Sequence, residues 1–111
     1  MIKFRTPPPP PVPQELSFAQ LVVGLTEQGW ITDTEADAWL AGNALPAAVE
    51  AAIMSIPEVL EDGSRPRLRA KARALRPSTI ARDNELLIMM SHMQGATSEQ
   101  LDEVFRVYAR V

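Results

Sequence analysis

The sequence predicts an all-α protein: a small bundle of about five to six short helices, preceded by an extended proline-rich N-terminal arm. Three observations carry this expectation. Capping boxes recur, with Ser17/Gln20, Thr32/Glu35 and Thr97/Gln100 each placing a hydroxyl three residues before a side chain able to reach back to it. Glycines and prolines separate segments whose apolar residues repeat every three or four positions. Aromatic residues make up only 5% and β-branched runs are few, which leaves a sandwich or barrel little to pack. At 111 residues the chain holds one core, and 46% hydrophobic with 23% charged residues is the balance of a folding chain.

Residues 1–14 form the arm. Pro7, Pro8, Pro9, Pro10, Pro11 and Pro13 have no backbone donor and hold φ near −65°. Such a run favours polyproline II at ~3.1 Å per residue, so positions 7–13 reach roughly 22 Å. At its tip, Ile2-Lys3-Phe4-Arg5 alternates, putting Ile2 and Phe4 on one side of an extended strand. Those two side chains could extend a partner's sheet or fill two apolar pockets. The competing reading is a free tail. Stiffness lowers the entropy lost on docking and favours a docked arm.

Residues 15–111 form the helical domain, with a candidate hinge at 57–65. Ser17 opens a first helix with the stripe Phe18, Leu21, Val22 and Leu25, and Gly29 stops it. Thr32 opens a second, with Ala36, Trp39 and Leu40 in step and Gly42 after it. Pro46 fits the first turn of a third, in which Val49, Ile53 and Ile56 face inward until Pro57. After the turn Glu61-Asp62-Gly63-Ser64, Ser64 is expected to cap a fourth helix with Pro66 in its first turn and Leu68, Ala72 and Leu75 as its apolar line. Pro77 ends that helix. Ser78 or Thr79 is expected to cap a fifth helix, with Ile80, Leu87 and Met90 or His92 in step beside the apolar run Leu86-Leu87-Ile88-Met89-Met90, up to Gly95. Leu101, Val104, Phe105 and Tyr108 line the sixth.

The chemistry available is narrow. There is no cysteine and one histidine, His92, so thiolate metal sites, cysteine nucleophiles and multi-histidine centres have nothing to build on. Asp83, Glu85 and His92 read as helix-dipole partners of the fifth helix; Asp33, Glu35 and Asp37 read as capping and solvated groups. With no glycine-rich phosphate loop either, no catalytic residue, metal ligand or cofactor is expected and the protein reads as a non-enzyme. Trp30 and Trp39 read as core packing, with an exposed binding anchor as the alternative. Met54, Met89, Met90 and Met93 read as adaptable filler, or a binding face. Net charge is −3, yet Arg65, Arg67, Arg69, Lys71, Arg73, Arg76 and Arg82 cluster, with no acid between Gly63 and Arg82. Arg69, Arg73 and Arg76 share a helical face. A solvated face, an acidic protein partner and nucleic acid are the three readings, and the absence of interleaved aromatics weakens the last. No stretch has the ~20 apolar residues of a membrane span, and the N-terminus has no apolar leader core.

The runs Ala70-Lys71-Ala72-Arg73-Ala74-Leu75, Ile80-Ala81-Arg82-Asp83-Asn84 and Thr97-Ser98-Glu99-Gln100-Leu101-Asp102-Glu103-Val104-Phe105 resemble small proteins from the tail and tail-fibre region of tailed bacteriophages and prophages of alphaproteobacteria. Ile2-Lys3-Phe4 before the prolines and Gly29-Trp30-Ile31-Thr32 before an acidic helix fit the same group, while Glu85 stands where that group has a proline. The resemblance covers about two thirds of the chain, in caps and core positions. It implies a virion structural protein, an accessory subunit of the tail fibre or baseplate, assembled in the host bacterial cytoplasm and docked on a larger phage protein. The residues expected at that contact are Ile2, Phe4, the arm prolines, Arg69, Arg73 and Arg76. Self-association, trimeric as in fibres, is a further expectation, drawn from the run 86–90 and the stripe ending at Tyr108 and Val111. A cytoplasmic tail or fibre assembly chaperone and a capsid decoration protein are the alternatives.

Overall fold

The computed structural model describes residues 11–75 and 77–111. Among them six helices form an all-α domain, as the caps and periodicity predict: α1 (Phe18–Glu27), α2 (Asp33–Leu40), α3 (Ala47–Met54), α4 (Pro66–Leu75), α5 (Glu85–Met93) and α6 (Ser98–Tyr108). All three capping boxes form, with Ser17, Thr32 and Thr97 accepting from the backbone of Gln20, Glu35 and Gln100. The glycine stops also hold. At the end of α1, Gly29 takes φ 77°, the Gly29 N–H donates to Thr26 O at 3.0 Å and the Trp30 N–H to Leu25 O at 2.9 Å, a Schellman closure. The same bond pairs close α2 at Gly42 and α5 at Gly95.

α1 packs on α2 and α6, and α3 packs on both α4 and α5. Leu25, Phe105, Leu101, Met90 and Val22 are all but inaccessible at the centre. α1 and α6 approach closely because Gly24 faces the buried Tyr108 ring: a Cβ there would lie 2.8 Å from Tyr108 Cδ2. Tyr108 is therefore a core residue, not part of a self-association stripe, although Val111 beyond it is exposed.

The chain departs from expectation ahead of α5. Thr79–Ala81 does not begin a helix. It forms a strand, β2, antiparallel to β1 (Glu15–Ser17), with Leu16 opposite Ile80 and both buried. Asn84, rather than Ser78 or Thr79, caps α5 by accepting from the Leu87 N–H at 3.0 Å, so Asp83 lies outside the helix while Glu85 opens it. Thr79 and Ile80 are β-branched, and burying Ile80 against Leu16 pairs backbone that a helix start would have left to solvent.

α4 also differs. Ser64 does not cap it. The Ser64 N–H donates to Asp62 Oδ1 at 2.9 Å and its carbonyl accepts from Leu60 at 3.0 Å, closing a turn. The Ser64 hydroxyl and N–H hold the Asp62 carboxyl below its ordinary value. Of the expected apolar line, Leu68 and Ala72 point outward, with Leu68 55% exposed, while Leu75 packs against the core beside the inward Ala70 and Ala74. Two polar contacts fix that rotation. The Arg67 guanidinium reaches back to α3, donating to Ile56 O at 3.0 Å and Met54 O at 3.2 Å. The Trp39 indole N–H donates to Ala74 O at 2.8 Å. Residues 67, 70 and 74 share one helical face, so Leu68 is left outside.

Candidate docking surface

Two features converge on the β1–β2 ladder: the root of the arm and an open apolar groove.

The root is tied to the body from Val12 onward, which packs against the core. Gln14 Nε2 donates to Val12 O at 2.9 Å, and Gln14 O accepts from the Arg82 N–H at 2.8 Å. The Arg82 side chain continues to α6, with Nε 2.7 Å from Asp102 Oδ1 and Nη2 3.0 Å from Ser98 O. Arg82, read in sequence as one more cation of the basic run, is the joint between arm root, β2 and α6. No local signal in the sequence marks this role, because its acidic partner lies twenty residues on.

The groove follows from α4's composition. α4 and α5 both lean on α3, and along the groove α4 presents Ala70 and Ala74, side chains too short to close the gap toward α5, while Leu75 packs against the core. The resulting groove has a volume of about 970 Å³ and opens to solvent. Its floor is Leu21, Leu25, Trp39 and Val49; Ala70 and Ala74 wall it on the α4 side, Leu86, Leu87, Met89 and Met90 on the α5 side. Trp39 is a core residue, held edge-on by Phe18 with ring centroids 5.0 Å apart. Trp30 is half-buried against the same core. Of the methionines, Met90 is buried and Met89 half-buried on the groove wall, while Met54 and Met93 are exposed and fill nothing.

The basic run separates by role. Arg67 is structural. Arg69 and Arg73 line the groove's rim, one turn apart and exposed, and no hydrogen bond or ion pair engages either guanidinium among the described residues. Glu85 is exposed on the opposite rim. Of the other expected contact residues, Pro11 is exposed and Pro13 half-buried, whereas Ile2, Phe4, Pro7, Pro8, Pro9, Pro10 and Arg76 lie outside the described residues.

Other titratable groups serve the fold. Glu35 accepts the Ala47 N–H at 2.6 Å through one carboxylate oxygen and the Thr32 N–H at 3.0 Å through the other, which holds its pKa below the ordinary value. The Gln28 amide lowers the pKa of the Tyr108 phenol, but burial and the nearby Glu27 carboxylate outweigh it, and the net direction is upward. His92 is exposed in the last turn of α5. Among the described residues no cluster of three or more His, Cys, Asp or Glu could hold a metal ion, and no helix is long and apolar enough to cross a membrane. Compared with protein families, with curated proteins and with solved structures, the chain matches none.

Proposed function

We propose that this chain is a non-catalytic structural subunit of a bacteriophage tail, clipped to a larger tail-fibre or baseplate protein by its N-terminal arm. The observation that supports it best is the arm's root. Val12, Gln14, Leu16 and Arg82 fix the chain to the helical body immediately behind the proline run. A stiff spacer on a free root would still sweep a large volume. On a fixed root, the stiffness that the proline composition predicts would lower the orientational entropy that docking costs. The phage assignment draws on the resemblance of the helical segments to small tail-region proteins. On this reading the body is a wedge, the arm a hook, and the partner supplies two apolar pockets or a sheet edge.

The test is mass spectrometry of purified particles carrying either the full chain or a chain lacking residues 1–10. The truncation stops there because Val12 and Gln14 belong to the body. The expected result is a few full-length copies per particle and loss of the truncated form. Normal incorporation without residues 1–10 overturns the hook. Absence of the full chain from particles overturns the structural role in favour of an assembly chaperone, and hundreds of copies per particle point to head decoration instead.

A further inference from the structure

We infer that the groove between α4 and α5 is a second docking site, independent of the arm, and that its occupant is an acidic amphipathic helix of a partner protein. Three features of the groove lead there.

Its size and shape suit a segment of chain. At about 970 Å³ it stands at the upper end of what small-molecule sites occupy, and it opens to solvent instead of enclosing its contents as such sites do. Its floor is apolar, although Ser64, Ser78, Thr79 and Asn84 also contribute to its lining, and helices wall it on both sides, the setting in which a partner helix lays down residues spaced i, i+3 and i+7.

Its charge fixes the chemistry of the occupant. Arg69 and Arg73 stand one turn apart on one rim with no partner among the described residues, while Arg67, on the face of α4 turned toward α3, is engaged by the Met54 and Ile56 carbonyls. Two free guanidiniums beside an apolar trough match carboxylates flanking an apolar helical stripe. Glu85 across the groove sets polarity: the occupant's acids face α4 and not the start of α5.

The same charges argue against this chain's own arm. Its tip carries Lys3 and Arg5, which would meet Arg69 and Arg73 as like charges. Nucleic acid fits the guanidiniums but not the apolar floor, which offers no exposed aromatic face for base stacking.

The experiment selects random 16-residue peptides displayed on a carrier against the full chain. A parallel selection uses the R69E/R73E double variant, whose two sites are exposed and unpaired. Unchanged helical circular dichroism and thermal midpoint establish that the variant is folded. The expected winners carry leucine-like residues at i, i+3 and i+7 with Asp or Glu on one flank. Their amide-shift footprint in NMR falls on α4, α5 and the Trp39 indole. R69E/R73E weakens them by roughly tenfold or more and enriches basic winners in its own selection. Neutral or basic winners on the unaltered chain, no enrichment at all, or winners indifferent to R69E/R73E overturn the inference. So does a concentration-dependent self-association with the same footprint, or competition by a single-stranded oligonucleotide. Deleting residues 1–10 leaves the expected binding intact, so failure of the arm reading and failure of this one are separable.

Discussion

At the residue scale, Gly24 and Glu35 do more than their local pattern indicates. Gly24 sits mid-helix, where alanine would gain about 1 kcal/mol of helix propensity. Against that stands the Tyr108 ring, whose Cδ2 and Cγ would lie 2.8 and 3.0 Å from an added Cβ. Those atoms are at the ring's base, next to the backbone of α6, and cannot swing aside. Overpacking of this kind costs about 1–3 kcal/mol and outweighs the propensity gain. G24A should therefore lower stability by about 1 kcal/mol in urea unfolding, and the same change in a Y108L background should be neutral or stabilising. Glu35 ties two helix starts together: it completes the capping box of α2, and its second oxygen takes the Ala47 N–H of α3, whose own cap residue, Pro46, has no side-chain acceptor. Its folded pKa lies below the ordinary 4.5, so the unfolded chain takes up the proton first. The stabilisation is fully present above that ordinary value and is lost as pH falls through the depressed one. The stability difference between the native chain and E35Q should accordingly be largest near neutral pH and shrink as pH falls below 4.5; a difference that stays constant as the carboxylate protonates would mean that its charge plays no part.

At the element scale, the arginines of α4 divide into two kinds that look alike in sequence. Arg67 supplies hydrogen bonds to the carbonyls of Met54, the last residue of α3, and Ile56 just beyond it, where a cation also favours the helix dipole. R67A should cost about 1 kcal/mol, and R67K nearly as much, because an ammonium lacks the planar fork that spans two carbonyls. R69A and R73A, which free no partner, should each stay within about 0.5 kcal/mol of the native chain in the same denaturation assay. This division explains what the sequence could and could not disclose. Caps and stops are local, written within four residues, and the boundaries set by Ser17, Thr32, Thr97, Gly29, Gly42 and Gly95 were all legible. The rotation of α4 was not, because it is set by Met54, Ile56 and Trp39 from other elements, which override the hydrophobic preference of Leu68. β2 was missed for a related reason. Three residues are too few to display alternation, and Thr79–Ala81 becomes a strand only because Leu16, more than sixty positions earlier, lies opposite Ile80. The groove was invisible on the same grounds: alanine spacing reads as good helix, and the space it leaves appears only once α5 is in place.

At the scale of the whole molecule, the question is where the arm ends and the folded body begins. Proline content sets the boundary near residue 14, but hydrogen bonding moves it forward: Val12 already touches the core, Gln14 receives Arg82, and Leu16 is 1% exposed under the ladder. A chain lacking residues 1–10 should keep its thermal midpoint within about 2 °C of the native one, since every body contact of the root is retained. A chain lacking residues 1–16 loses the Leu16 side chain, the ladder and the acceptor for the Arg82 N–H. Removing a buried leucine alone costs about 2–5 kcal/mol, and for a domain of this size each kcal/mol lowers the midpoint by about 4–8 °C, so the second truncation should fall by more than about 10 °C. A calorimetric scan of the two truncations separates a lever attached to a finished fold from an N-terminal segment that helps build it. Equal destabilisation by both would place the proline run in the folding unit, and the hook would then have no independent body to hang from.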